Sequence, residues 1–65
     1  MRKTLRAMRR VEPEYEPRTW QVFIEVVVLG HPTHVVAERH ALSPAAVRQI
    51  KSRILRRLRQ ELGDA

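Results

Sequence analysis

The side chains best able to do chemistry on a partner are concentrated after residue 42. Ser43 and Pro44 are followed by Ala45, Arg48, Gln49, Ser52, Arg53, Arg56 and Arg59. At about 100° per residue, Ala45, Gln49, Ser52 and Arg56 fall on one face of a helix, and Arg48, Arg53 and Arg59 flank them. An arginine presents a donor fork that matches guanine, and a glutamine amide pairs with adenine, so Arg48 and Gln49 suit base edges exposed in a major groove. Arg56 and Arg59, farther along, suit phosphates, which position a protein on a duplex without reading its sequence. A serine oxygen ahead of a proline is a helix start: the oxygen accepts an unpaired amide and the proline takes the first helical position. The amides left at that end can hold a phosphate. The chemistry these residues suit is recognition of double-stranded DNA.

Catalysis finds no comparable support. Ser43, Ser52 and Thr19 have no base-and-orienter set, so no catalytic residue and no enzymatic activity are expected. His31, His34 and His40 lie near Glu38 but lack the ligand spacing and supporting shell of a metal centre. No metal or other cofactor is expected, and His40 reads as a partly buried packing residue with one polar edge exposed.

Composition agrees with a binder. The chain has 65 residues, 13 Lys and Arg against 7 Asp and Glu, a formal charge of +6, and no cysteine. A chain this short makes one small core, with neither disulfides nor thiolate zinc to reinforce it. The cations form two blocks: Arg2, Lys3, Arg6, Arg9 and Arg10 precede any acid, and Arg48, Lys51, Arg53, Arg56, Arg57 and Arg59 follow one another with no acid before Glu61. Such blocks attract polyanions. The basic start has no apolar stretch behind it, so no secretory signal is expected, and the run Val26–Leu29 is too short to cross a bilayer. A cytoplasmic protein without a membrane partner follows as the expectation.

The expected architecture is all-α: a small bundle of three to four helices containing a helix-turn-helix, with a flexible basic arm at the N-terminus. Residues 1–16 read as that arm and a linker, because the prolines and alternating carboxylates of Glu12–Pro17 favour extended, solvated chain. Leu5 and Met8 alone suggest a short helix within it. Residues 17–65 read as the folded domain. Its first helix covers Arg18–Leu29, with Trp20, Phe23, Ile24, Val27 and Val28 at helical spacing and Gly30 ending it. A second short helix runs from Pro32 to about His40, around Val35, Val36 and Ala37. After Ala41-Leu42-Ser43 a third spans Pro44–Leu62, where Val47, Ile50, Ile54, Leu58 and Leu62 form a buried stripe until Gly63 stops it. Small Ala37 allows the second and third helices to cross closely, and Leu42 plugs the turn. Lys51 lies at the edge of the stripe, where its stem can pack. With the apolar stripes used in mutual packing, a monomer is expected.

Two short helices, the second serine-capped and basic, are what a helix-turn-helix needs to place a helix in the major groove. At this point the chain resembles a family. Val36-Ala37-Glu38, Leu42-Ser43, Val47-Arg48, Lys51-Ser52-Arg53-Ile54-Leu55 and Leu58-Arg59 are similar to region four of extracytoplasmic-function sigma factors, which are bacterial. Glu16-Pro17-Arg18-Thr19-Trp20-Gln21-Val22-Phe23 resembles the first helix of that region, so the likeness spans Glu16–Leu62. It implies recognition of the minus-35 promoter element, docking on the β flap of core RNA polymerase, and control by an anti-sigma factor. The turn departs from the family pattern: Ala41 stands where glycine is usual, His40 replaces an aliphatic residue and Val35 an acidic one. Alanine fits there only with a negative φ or with left-handed strain. The chain has no room for the promoter-melting region of a complete sigma factor, so it reads as the excised C-terminal domain of a longer one or, less favoured, as a free-standing regulator that kept only the reading module. The alternatives are another helix-turn-helix regulator, such as a response-regulator output domain, and a basic amphipathic helix that binds protein.

Overall fold

In the computed structural model, which describes residues 2–63, the chain folds as four α-helices: α1 (Arg2–Val11), α2 (Pro17–Phe23), α3 (Thr33–Arg39) and α4 (Pro44–Glu61). No strand occurs among the described residues, so the all-α expectation holds. Helix α4 is the spine. The other three helices pack along its apolar side, α3 toward its start and α1 toward its end.

Two apolar clusters make up the core. Ala7, Val11, Trp20, Phe23, Ile54 and Leu58 form the first, and Val22, Val36, Ala37 and Val47 the second. Ile50 packs against both. The stripe expected on the last helix is therefore the seam of the bundle through Leu58. Leu62, expected at its end, lies past the last packed turn and is 43% exposed.

The expected flexible arm is instead helix α1. Ala7 and Val11 are buried against Ile54 and Leu58, and Met8 packs beside them, whereas Leu5 points outward. Ala7, Met8 and Val11 make a narrow i, i+1, i+4 stripe with only one long side chain, and it becomes stable only because α4 supplies the opposite surface. The chain then makes a 3-10 turn at Glu12–Glu14 rather than an extended linker. Pro13 fits that turn, since the missing N–H lies where a helix start leaves amides unpaired. Tyr15 returns to extended backbone and stacks on Trp20 at 6.3 Å.

Helix α2 starts as its proline dictates, with Glu16 extended and Pro17 in the first turn. It continues into a π-helical segment, Ile24–Val28, where the Leu29 amide reaches back to the Ile24 carbonyl at 3.0 Å. A π turn holds one residue more than an α turn, so the helix face rotates beyond Phe23. Trp20 and Phe23 are core, as expected, but Val27 and Val28 are turned out and Val28 is 56% exposed. Glu25 takes the inward position and is buried.

Helix α3 ends in a Schellman motif. The Leu42 amide donates to the Ala37 carbonyl at 2.8 Å and the Ala41 amide to Glu38 at 3.2 Å, while the Leu42 side chain packs against Ala37. The motif needs a left-handed residue at its penultimate position, and Ala41 adopts φ +55°. A Cβ is strained there by about 1–2 kcal/mol, whereas glycine is not; glycine in turn gives back part of that through its freer unfolded chain. Ala41→Gly is expected to stabilise the protein by about 1 kcal/mol, raising Tm by roughly 4–8 °C. A thermal melt by circular dichroism checks it; an unchanged or lower midpoint would mean that Ala41 is not held left-handed in solution.

Candidate nucleic-acid interface

The turn between α3 and α4 sets the direction of α4, and α2 with its π-helical continuation grips that turn at two points. Arg18 donates from Nη2 to the His40 carbonyl at 2.6 Å. The Glu25 carboxylate accepts from His40 Nε2 at 3.0 Å, from Arg39 Nη1 at 2.7 Å and from Gln21 Nε2 at 3.1 Å. As an ionised carboxylate only accepts, Nε2 of His40 carries the hydrogen. Buried carboxylates persist when paired and hydrogen-bonded in this way. His40 is thus the partly buried residue the sequence indicated, with its role supplied by Glu25. Among the described residues no three His, Asp or Glu side chains are grouped to hold a metal ion.

These bonds hold the Glu25 carboxyl below its ordinary value of 4.5, through the His40 hydrogen bond first, then Gln21 and the Arg39 charge, against burial, which pushes it up. A carboxyl lowered on folding stabilises the fold fully above its unfolded value and loses that contribution as pH falls through the folded one. Stability should therefore decline below about pH 4.5, and Glu25→Gln should flatten part of that decline. Some acid sensitivity remains in the variant, because Glu61 is also held low, by Arg10 first and by Arg57. Urea midpoints from pH 3 to 7 are the readout; parallel profiles for the two proteins would exclude Glu25 as a source.

Helix α4 begins where Ser43 and Pro44 place it. Ser43 is extended, with φ −78° and ψ 154°, and its Oγ accepts the Ala46 amide at 3.1 Å. Beyond it, Val47, Ile54 and Leu58 are buried, while Ala45, Arg48, Gln49, Ser52, Arg53 and Arg56 lie exposed on the other side. These six line one shallow groove of about 580 Å³, together with Tyr15, Arg57 and Gln60. Ser43 and Pro44 are exposed at its amino end. Arg59 is separated from the others: it borders an apolar groove on the opposite flank, beside Thr4, Met8, Val27 and Val28. Lys51 is exposed rather than packed.

Three residues of the groove escaped the sequence reading. Gln60 continues the row of Gln49, Ser52 and Arg56 by helical spacing and was legible in principle. Tyr15 arrives from the far side of the 3-10 turn, and only the packing of that turn beside α4 brings it in. Arg57 stood out only as one more charge.

The groove is electropositive because most of its cations have no counter-charge. Among the described residues Arg48, Arg53, Arg56 and Arg59 form no ion pair. Arg57 does: Glu14 takes its Nε and Nη2 at 2.8 and 2.7 Å, and Glu61 takes Nη2 at 3.2 Å. No described helix is long and apolar enough to cross a membrane. Compared with family models, curated proteins and solved structures, the chain matches none of them.

Proposed function

We propose that this chain is a helix-turn-helix DNA-binding module, and that it serves as the minus-35 reading domain of a sigma factor of the extracytoplasmic-function type. The observation that carries the reading is the division of α4: one side is the seam of the core, and the other is a capped, exposed row of Ala45, Arg48, Gln49, Ser52 and Arg56 whose arginines form no ion pair among the described residues. A helix about 10–12 Å across fits a major groove about 12 Å wide. In that pose α3 and its Schellman turn lie over the backbone and the first turns of α4 enter the groove. The Ala45 amide, the one left free in the first turn, takes a phosphate, small Ala45 lets α4 approach closely, and Arg48 and Gln49 meet base edges. Arg53 and Arg56 grip the phosphates of the groove wall. Core polymerase, the second partner under this reading, is met by the uncovered apolar flank of Val27, Val28 and Leu62, away from the DNA.

The test is salt dependence. Removing a phosphate contact lowers the slope of log affinity against log salt by about 0.9. Arg56→Ala should do so equally on any duplex, with a several-fold loss of affinity at low salt, read by fluorescence anisotropy. Identical slopes for Arg56→Ala and the parent chain would remove Arg56 from the phosphate contacts. The unrelated alternative, a basic helix that docks on protein, predicts duplex binding without any sequence preference.

A further inference from the structure

Arg57 is the cation of the α4 groove that the fold has already engaged. Glu14 holds it with both carboxylate oxygens, and the pair spans 43 residues of sequence, so it exists only because the 3-10 turn lies against α4. That turn is firmly placed: Val11 before it is fully buried, Pro13 restricts it, and Tyr15 after it stacks on Trp20. Bidentate arginine–carboxylate pairs have the geometry with which arginine also takes a phosphate. We infer that Glu14 occupies the phosphate-binding edge of Arg57 and so limits how strongly this surface grips a nucleic-acid backbone. The inference rests on the DNA-binding reading above.

Three features agree with it. Arg57 lines the same groove as Arg53 and Arg56, within reach of a backbone that follows α4. Glu61, the second acid on Arg57, gives it one oxygen at 3.2 Å and shares its carboxylate with Arg10, so it cannot replace the two-oxygen grip of Glu14. The guanidinium is about a third exposed and Glu14 more so, which leaves the pair open to competition from an incoming phosphate. The consequence is a restraint on sequence-independent affinity. One fewer phosphate contact lowers binding to every duplex alike and leaves discrimination to Arg48 and Gln49.

Anisotropy titrations of a labelled duplex against salt test this with the parent chain, Glu14→Gln, Arg57→Gln, the double variant and Glu12→Gln, each checked for helix content. Glu12 lies on the same turn and forms no ion pair among the described residues. Glu14→Gln is expected to steepen the slope by about 0.9 and tighten binding roughly 5- to 10-fold near 0.1 M salt, on preferred and random sequence equally. Arg57→Gln alone should not steepen the slope, and the double variant should lose the gain of Glu14→Gln. No gain in Glu14→Gln, an equal gain in Glu12→Gln, or a gain that survives without Arg57 would each overturn the inference. If the parent chain binds no duplex even at low salt, the DNA-binding reading itself fails and takes this inference with it; the other outcomes leave that reading intact.

Discussion

Ile54→Ala is expected to remove a large share of the protein's folding stability. Ile54 is fully buried, at 0% exposure, and packs where α1, α2 and α4 meet, among Val11, Trp20, Phe23 and Leu58. Cutting a buried isoleucine to alanine costs about 2–5 kcal/mol, because the lost transfer energy is joined by that of an incompletely closed cavity. A folded chain of 65 residues has in total roughly 3–10 kcal/mol to lose, at about 0.05–0.15 kcal/mol per residue. The two ranges overlap, so one substitution takes away much or all of the stability. Leu5→Ala, at an exposed position of α1, should change stability by less than about 0.5 kcal/mol. Denaturant titrations of the two variants compare them directly. Similar midpoints would mean that α1 does not rest on α4 as described.

The second large effect concerns recognition. If the chain reads DNA as proposed, Arg48→Ala should weaken binding to its preferred duplex by about 1–3 kcal/mol, roughly 5- to 150-fold, and relax preference at a single base-pair position. Arg48 lies one turn past the Ser43 cap, on the exposed side of α4 and in the groove with Gln49 and Ser52, where no carboxylate engages it among the described residues. Selection from a randomised duplex pool identifies the preferred sequence, and affinities for that sequence and a scrambled one separate reading from gripping. A loss of the same size on both would place Arg48 among the phosphate contacts.

What could be seen in the sequence was whatever depends on neighbours a few residues apart. The Ser43-Pro44 start, the Val47, Ile50, Ile54 and Leu58 seam and the burial of Trp20 and Phe23 follow from local periodicity and capping, and all are found. The doubt at Ala41 was also legible, because the turn pattern itself demands a left-handed residue. What escaped depends on distant partners or on a change of helical pitch. Helix α1 has too weak a stripe to announce itself without α4 beneath it. Val27 and Val28 kept an α-helical rhythm on paper, but the π turn rotates them outward and brings in Glu25. A single acid in an apolar run reads as a solvated edge, and its bonds to Arg39 and His40 arise only once α3 has folded back on α2.

The widened turn at Ile24–Val28 has a consequence for how this backbone can change length. Such a turn carries a surplus residue, so deletion of Val27 would let the stretch rewind as ordinary α-helix without displacing Trp20 or Phe23 upstream. The link to Gly30 would leave the rewound helix in nearly its present direction, because the turn loses only the residue by which it exceeds an α turn. The domain can therefore shed a residue here and still close its oily interior, with the link toward its longest helix setting off along the same line.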